Sequence, residues 1–81
     1  MTDKTQEAIN LGQKAETLLN NEFLKAVFAS IKTDIIAGWT KEKDEDRRVD
    51  MWFEYQAVTR IETKLQTLMA NGRMAKHSIE T

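Results

Sequence analysis

The chain has 81 residues, 41% of them hydrophobic and 31% charged, with neither cysteine nor proline. Its 12 basic and 13 acidic residues leave a net charge of −1, which argues against a dedicated polyanion binder and against a polybasic membrane anchor. Without cysteine there is no disulfide or thiolate metal site to brace a domain near the lower size limit for a single core. Such a domain depends on well-packed helices or on a partner chain. No apolar run approaches the roughly 18 residues of a membrane span, and MTDKTQEAIN lacks the basic-then-apolar order of a secretory signal, so the expected compartment is the cytosol.

In chain order, a first helix is expected over about 4–19. Thr2 or Asp3 offers a side-chain oxygen to cap it, and Asp3 with Gln6 has capping-box spacing. Ala8, Leu11, Ala15 and Leu18 fall on one face, with Ile9 and Leu19 beside it, while Gly12 weakens the helix by about 1 kcal/mol relative to alanine. Asn20-Asn21 then punctuates the chain. One asparagine can end a helix and the other can cap the next, with Glu22 placed against the positive end of the new dipole.

The second helix is expected over about 22–39. Leu24, Val27, Phe28, Ile31 and Ile35 form its stripe, which Phe23, Ile36 and Trp39 widen beyond what one neighbour requires. Gly38 either closes the helix or sits in its last turn. Thr40 to Asp46 is dense in charge and reads as a solvated connection, with Asp44 capping the third helix and Glu45 and Asp46 in its first turn.

The third helix is expected over about 45–70. Val49, Trp52, Phe53, Val58, Ile61, Leu65, Leu68 and Met69 recur with helical rather than alternating spacing. Asn71-Gly72 is read as its stop, because glycine takes the left-handed cap without steric cost. Residues 72–81 are left as a frayed turn or tail.

A short connection makes neighbouring helices antiparallel. Pivoting about Glu42 pairs residues whose numbers sum to about 84, so Ile35 faces Val49, Ile31 faces Phe53, Val27 faces Ala57 and Leu24 lies near Ile61. The expected fold is therefore all-α: one domain built on an antiparallel hairpin with an N-terminal third helix, either a three-helix bundle or an oligomeric one. Leu65, Leu68 and Met69 have no partner on the second helix, and the first helix is their expected cover, from its own chain or another.

No catalytic constellation is present, and neither a metal nor a cofactor is expected. His77, the sole histidine, has no second and third group at a recognisable spacing, and no nucleophile motif or glycine-rich phosphate loop occurs. Asp44, Glu45, Asp46 and Asp50 lack the glycine turn and ligand order of a calcium loop. Arg60 and Lys64 lie one turn apart and, with Arg73 and Lys76, are the candidate phosphate contacts. Glu54, Glu62 and Asp50 interleave with the basic residues and break any continuous basic stripe. Trp39 and Trp52 near the loop are read first as core and second as interface anchors.

The segment LLNNEFLKAVFASIKTDIIAGW, a charged loop, Arg47, Trp52 and the closing NGRMAKHSIE resemble a group of short tailed-phage proteins, over roughly Leu18 to Glu80. Those proteins usually carry no assigned function and are encoded among structural or DNA-handling genes. The resemblance implies a virion-assembly or accessory protein, in the virion or the host cytoplasm, and names no active residue. The function expected is binding, by self-association or by docking on a protein partner, with Phe23, Leu24, Leu65, Leu68 and Met69 as candidate contacts. The alternatives are a DNA-packaging subunit resembling a small terminase, or an inhibitor of a host enzyme.

Overall fold

A computed structural model describes the backbone of residues 2–80 and the side chains of residues 4–79. The regular structure is all helical: α1 (Thr2–Leu19), α2 (Glu22–Lys41) and α3 (Glu45–Glu80). The expected capping by Thr2 or Asp3, and the capping box with Gln6, involve side chains outside the described set.

The break between α1 and α2 is set by Asn21. Its side-chain oxygen accepts the Leu24 N–H at 2.9 Å, the N-cap geometry that satisfies one orphan donor of the first turn. Glu22 in that turn pairs with Lys25 at 3.2 Å. The second connection is shorter than expected, because α2 continues through Thr40 and Lys41 and leaves only Glu42, Lys43 and Asp44 outside helix.

α3 does not stop at Gly72. It runs 36 residues to Glu80, about 54 Å at 1.5 Å per residue, so the expected end near residue 70 and the frayed tail are replaced by helix that includes His77. The reason lies in α1. A Cβ on Gly12 would stand 2.8 Å from the Gly72 Cα and 3.0 Å from the Leu68 carbonyl oxygen; one on Gly72 would stand 2.8 Å from the Gly12 Cα and 2.9 Å from the Ala8 carbonyl oxygen. Both glycines serve close approach of two backbones, and neither has a positive φ. Ala8, Ala15 and Ala75 continue this small-residue seam, and Glu16 receives a hydrogen bond from Arg73 at 3.4 Å beside it.

α3 is the shared spine. α1 packs closely on its second half and α2 more loosely on its first, while α1 and α2 scarcely touch. The molecule measures 56 × 25 × 16 Å, an elongated slab whose long dimension is set by α3. Contacts advance along α3 as they retreat along the other helices: Trp39 with Arg48, Lys32 with Glu62, Glu16 with Arg73.

The inner face of α3 differs from the expected one. Met51, Tyr55, Val58, Glu62, Leu65, Met69 and Gly72, spaced alternately by four and three, are buried or half-buried, the seam of a seven-residue repeat. Val49, Trp52, Phe53 and Ile61 point outward and are each more than half exposed. The expected pairings Ile35–Val49, Ile31–Phe53, Val27–Ala57 and Leu24–Ile61 therefore do not form the seam. Lys32 with Glu62 and Gly38 with Met51 sit there instead.

Candidate interaction surface

The loop fixes one end of the molecule. At the end of α2 the Glu42 N–H reaches the Gly38 and Trp39 carbonyls at 3.0 and 3.3 Å. Asp44 then caps α3: its Oδ1 accepts the N–H of Asp46 at 2.9 Å and of Arg47 at 3.4 Å, and its own N–H is held by Glu42 Oε1 at 3.2 Å. With both helix termini satisfied through three residues, Trp39 and the first turns of α3 are brought side by side.

There the Arg48 guanidinium lies 3.9 Å from the centre of the Trp39 ring, a cation–π stack on a partly exposed indole. Trp52 packs edge-on against Phe53, ring centres 5.1 Å apart. Two adjoining depressions share Trp39 and Trp52. One is lined also by Glu45, Arg48 and Val49, the other by Ile35, Ile36, Met51, Tyr55 and Gln56. Phe53 is 60% exposed, and Val49, Trp52 and Ile36 are all just over half exposed. α2 contributes no buried residue, and the buried apolar side chains among the described residues are Ile9, Ala15 and Met51.

Farther along the same seam the Lys32 ammonium pairs with the Glu62 carboxylate and lies 6.0 Å from the Tyr55 ring centre. The hydrogen bond that the Lys32 ammonium donates to the Glu62 carboxylate holds the Lys32 pKa above its ordinary value, against partial desolvation. Both side chains remain about one-quarter exposed, so the pair spans the seam rather than being sealed in it.

The expected contact residues separate into two groups. Leu65, Leu68 and Met69 are half-buried on the stretch of α3 that α1 covers within the same chain, Leu68 beside Ala8 and Leu11, and Met69 beside Ile9 and Gly12. Leu24 is half-buried, while Phe23 is 78% exposed at the start of α2. The candidate phosphate contacts do not gather. Arg60 and Lys64 are exposed on α3, Arg73 is engaged with Glu16, and Lys76 lines the cleft between α1 and α3. Arg60 and Arg73 are about 20 Å apart along the helix. Among the described residues no cluster of acidic or histidine side chains is arranged to hold a metal ion, and no helix is long and apolar enough to cross a membrane.

The aromatic surface is thus left uncovered by packing, whereas the reading by spacing put Val49, Trp52 and Phe53 on the apolar stripe of the core and gave Trp39 and Trp52 an interface role only second. The Arg48–Trp39 stack had a signal in the sequence, since the two residues flank a short loop at nearly equal distance. No protein family, no curated protein and no solved structure matches this chain.

Proposed function

We propose that this chain is a small helical binding protein, acting by self-association or by docking on a protein partner through the aromatic surface at its loop end. In this reading α2 and α3 form an antiparallel hairpin, α1 completes the second half of the spine, and the first half is left for the partner. The order of contacts along the helices supports that arrangement. The resemblance to short tailed-phage proteins makes virion assembly, or an accessory role in the host cytoplasm, the setting proposed for the contact.

One observation carries the reading. The chain exposes 6427 Å², whereas a compact monomer of 9.4 kDa exposes about 5,000 Å². Its radius of gyration is 17.2 Å against about 12 Å for a globular domain of this length. Surplus surface that includes two tryptophans and a phenylalanine is an interaction surface in waiting. A DNA-packaging role has weaker support, because the basic residues are dispersed and partly paired.

The test is the urea stability of the isolated chain together with its sedimentation over a wide concentration range. A monomer with the ordinary domain stability of about 5–15 kcal/mol would contradict the proposal. Association, or a monomer far below that range, would support it.

A further inference from the structure

We infer that the occupant of the aromatic surface is a second copy of this chain, the two slabs meeting face to face about a two-fold axis so that α2 and α3 of each form a four-helix core at the loop end. This rests on the binding role proposed above and names its partner.

Area is the first argument. The surplus over a compact monomer, 6427 Å² against about 5,000 Å², is roughly 1,400 Å². A standard interface removes about 800 Å² from each partner, so one such contact is accommodated by what the chain exposes in excess. The shape agrees: at 56 × 25 × 16 Å the chain is long and thin, and a second α2–α3 pair laid on the first at the usual 8–10 Å helix spacing makes a bundle.

Chemistry is the second argument. The depression at Trp39, Val49 and Trp52 carries both signs of charge at its rim, Glu45 and Arg48. A two-fold axis makes a surface meet itself, so a rim of one sign would repel its copy, whereas mixed signs let Arg48 of each copy approach Glu45 of the other. The net charge of −1 adds little repulsion between whole chains.

Dependence of the fold on a partner points the same way. With no buried residue on α2 and Met51 alone buried on the α3 segment beside it, this half of the molecule lacks a core of its own, so its folding and its association are coupled. An identical copy is the partner present wherever the chain is made.

Sedimentation equilibrium of the full chain across about 1–100 μM tests the inference, with helicity followed by circular dichroism and tryptophan exposure by acrylamide quenching. The expected result is twice the 9.4 kDa chain mass, with quenching that falls as concentration rises. Ile36→Glu and Val49→Asp, one on each helix of that face, should each weaken the dimer roughly 30-fold or more, while Met74→Glu, at a site 69% exposed on the far part of α3, leaves the mass unchanged. If the charged variants lose helicity, the quenching of the unaltered chain decides. A dimer indifferent to both Ile36→Glu and Val49→Asp, or one broken by Met74→Glu, overturns the face assigned. A partly unfolded monomer at 100 μM overturns the second copy as occupant and leaves docking on a different protein standing. A stable folded monomer overturns both.

Discussion

Replacing Gly12 or Gly72 by alanine sets two effects of known sign against each other. In a helix interior alanine is better than glycine by about 1 kcal/mol, so each change would stabilise the chain if the glycines had no packing role. Here the new methyl of Gly12→Ala would stand 2.8 Å from the Gly72 Cα and 3.0 Å from the Leu68 carbonyl oxygen, and that of Gly72→Ala 2.9 Å from the Ala8 carbonyl oxygen. These neighbours are backbone, so relief requires α1 and α3 to part by a good fraction of an ångström, loosening Ile9 and Ala15, two of the few buried side chains. Overpacking of this kind costs about 1–3 kcal/mol, and the severe backbone clash places these sites toward the upper end. The net expectation is a loss of about 1–2 kcal/mol for either variant, roughly 5–10 °C in melting temperature for a domain of this size. Gly38→Ala is the control. Its methyl would meet only the Met51 Cε, at 2.6 Å, the free end of a flexible side chain that can rotate away. That variant should be neutral or stabilised by up to about 1 kcal/mol. Thermal and urea unfolding followed at 222 nm, at one fixed protein concentration, reads all three. If Gly12→Ala and Gly72→Ala melt higher than the parent, as helix propensity alone requires, the close-approach account of the α1–α3 seam is wrong.

Asn21→Ala should cost about 0.5–2 kcal/mol by removing the acceptor for the Leu24 N–H, with Asn21→Asp close to the parent in urea titrations; equal loss from both would refute the capping role. Asp44→Ala removes the cap shared by the Asp46 and Arg47 amides and should lower stability by a similar amount, about 1 kcal/mol, with a drop in the Trp39 contribution to near-UV dichroism as the loop loosens. The Lys32–Glu62 pair raises the Lys32 pKa in the folded chain, so its contribution is complete below the unfolded lysine value of about 10.4 and fades as pH rises through the higher folded value. The stability difference between the parent and Lys32→Met should therefore shrink above about pH 10.4 and hold constant at neutral pH. A difference that stays flat through that alkaline window would show the pair to be inert.

Helix positions were legible because their signals are local. Asn21 and Asp44 cap where short polar side chains preceding apolar periodicity should cap, and the two breaks fall there. The inward face of α3 was legible from hydrophobicity only in part: Val58, Leu65 and Met69 of the expected stripe lie on it, and Val49, Trp52, Phe53 and Ile61 do not. Its seam includes Glu62, held by Lys32, and Gly72, held by Gly12, and both look polar or disruptive until the partner residue is known. Val49, Trp52, Phe53 and Ile61 form an equally apolar set rotated away from it, and a rule that buries the greasiest stripe chooses them. Gly72 illustrates the limit further. A glycine after asparagine near the end of an apolar pattern has the form of a helix stop, and only the crossing of α1, sixty positions earlier at Gly12, shows that it serves as a notch. The aromatic surface ranked second for the same reason, since its residues were first assigned to a core that other residues make.

Gly12 on α1 lies against Gly72 on α3, far along the spine from Trp39 and Trp52 at the loop, so the α1–α3 crossing and the tryptophans occupy opposite poles. A fluorophore or tether attached at an exposed position beside that crossing would leave the aromatic pole unobstructed, and a pair of labels there would report on how two molecules are oriented. An insertion between Glu42 and Asp44 would instead stand at the rim of Trp39 and shield it, turning the tight bend into a steric gate.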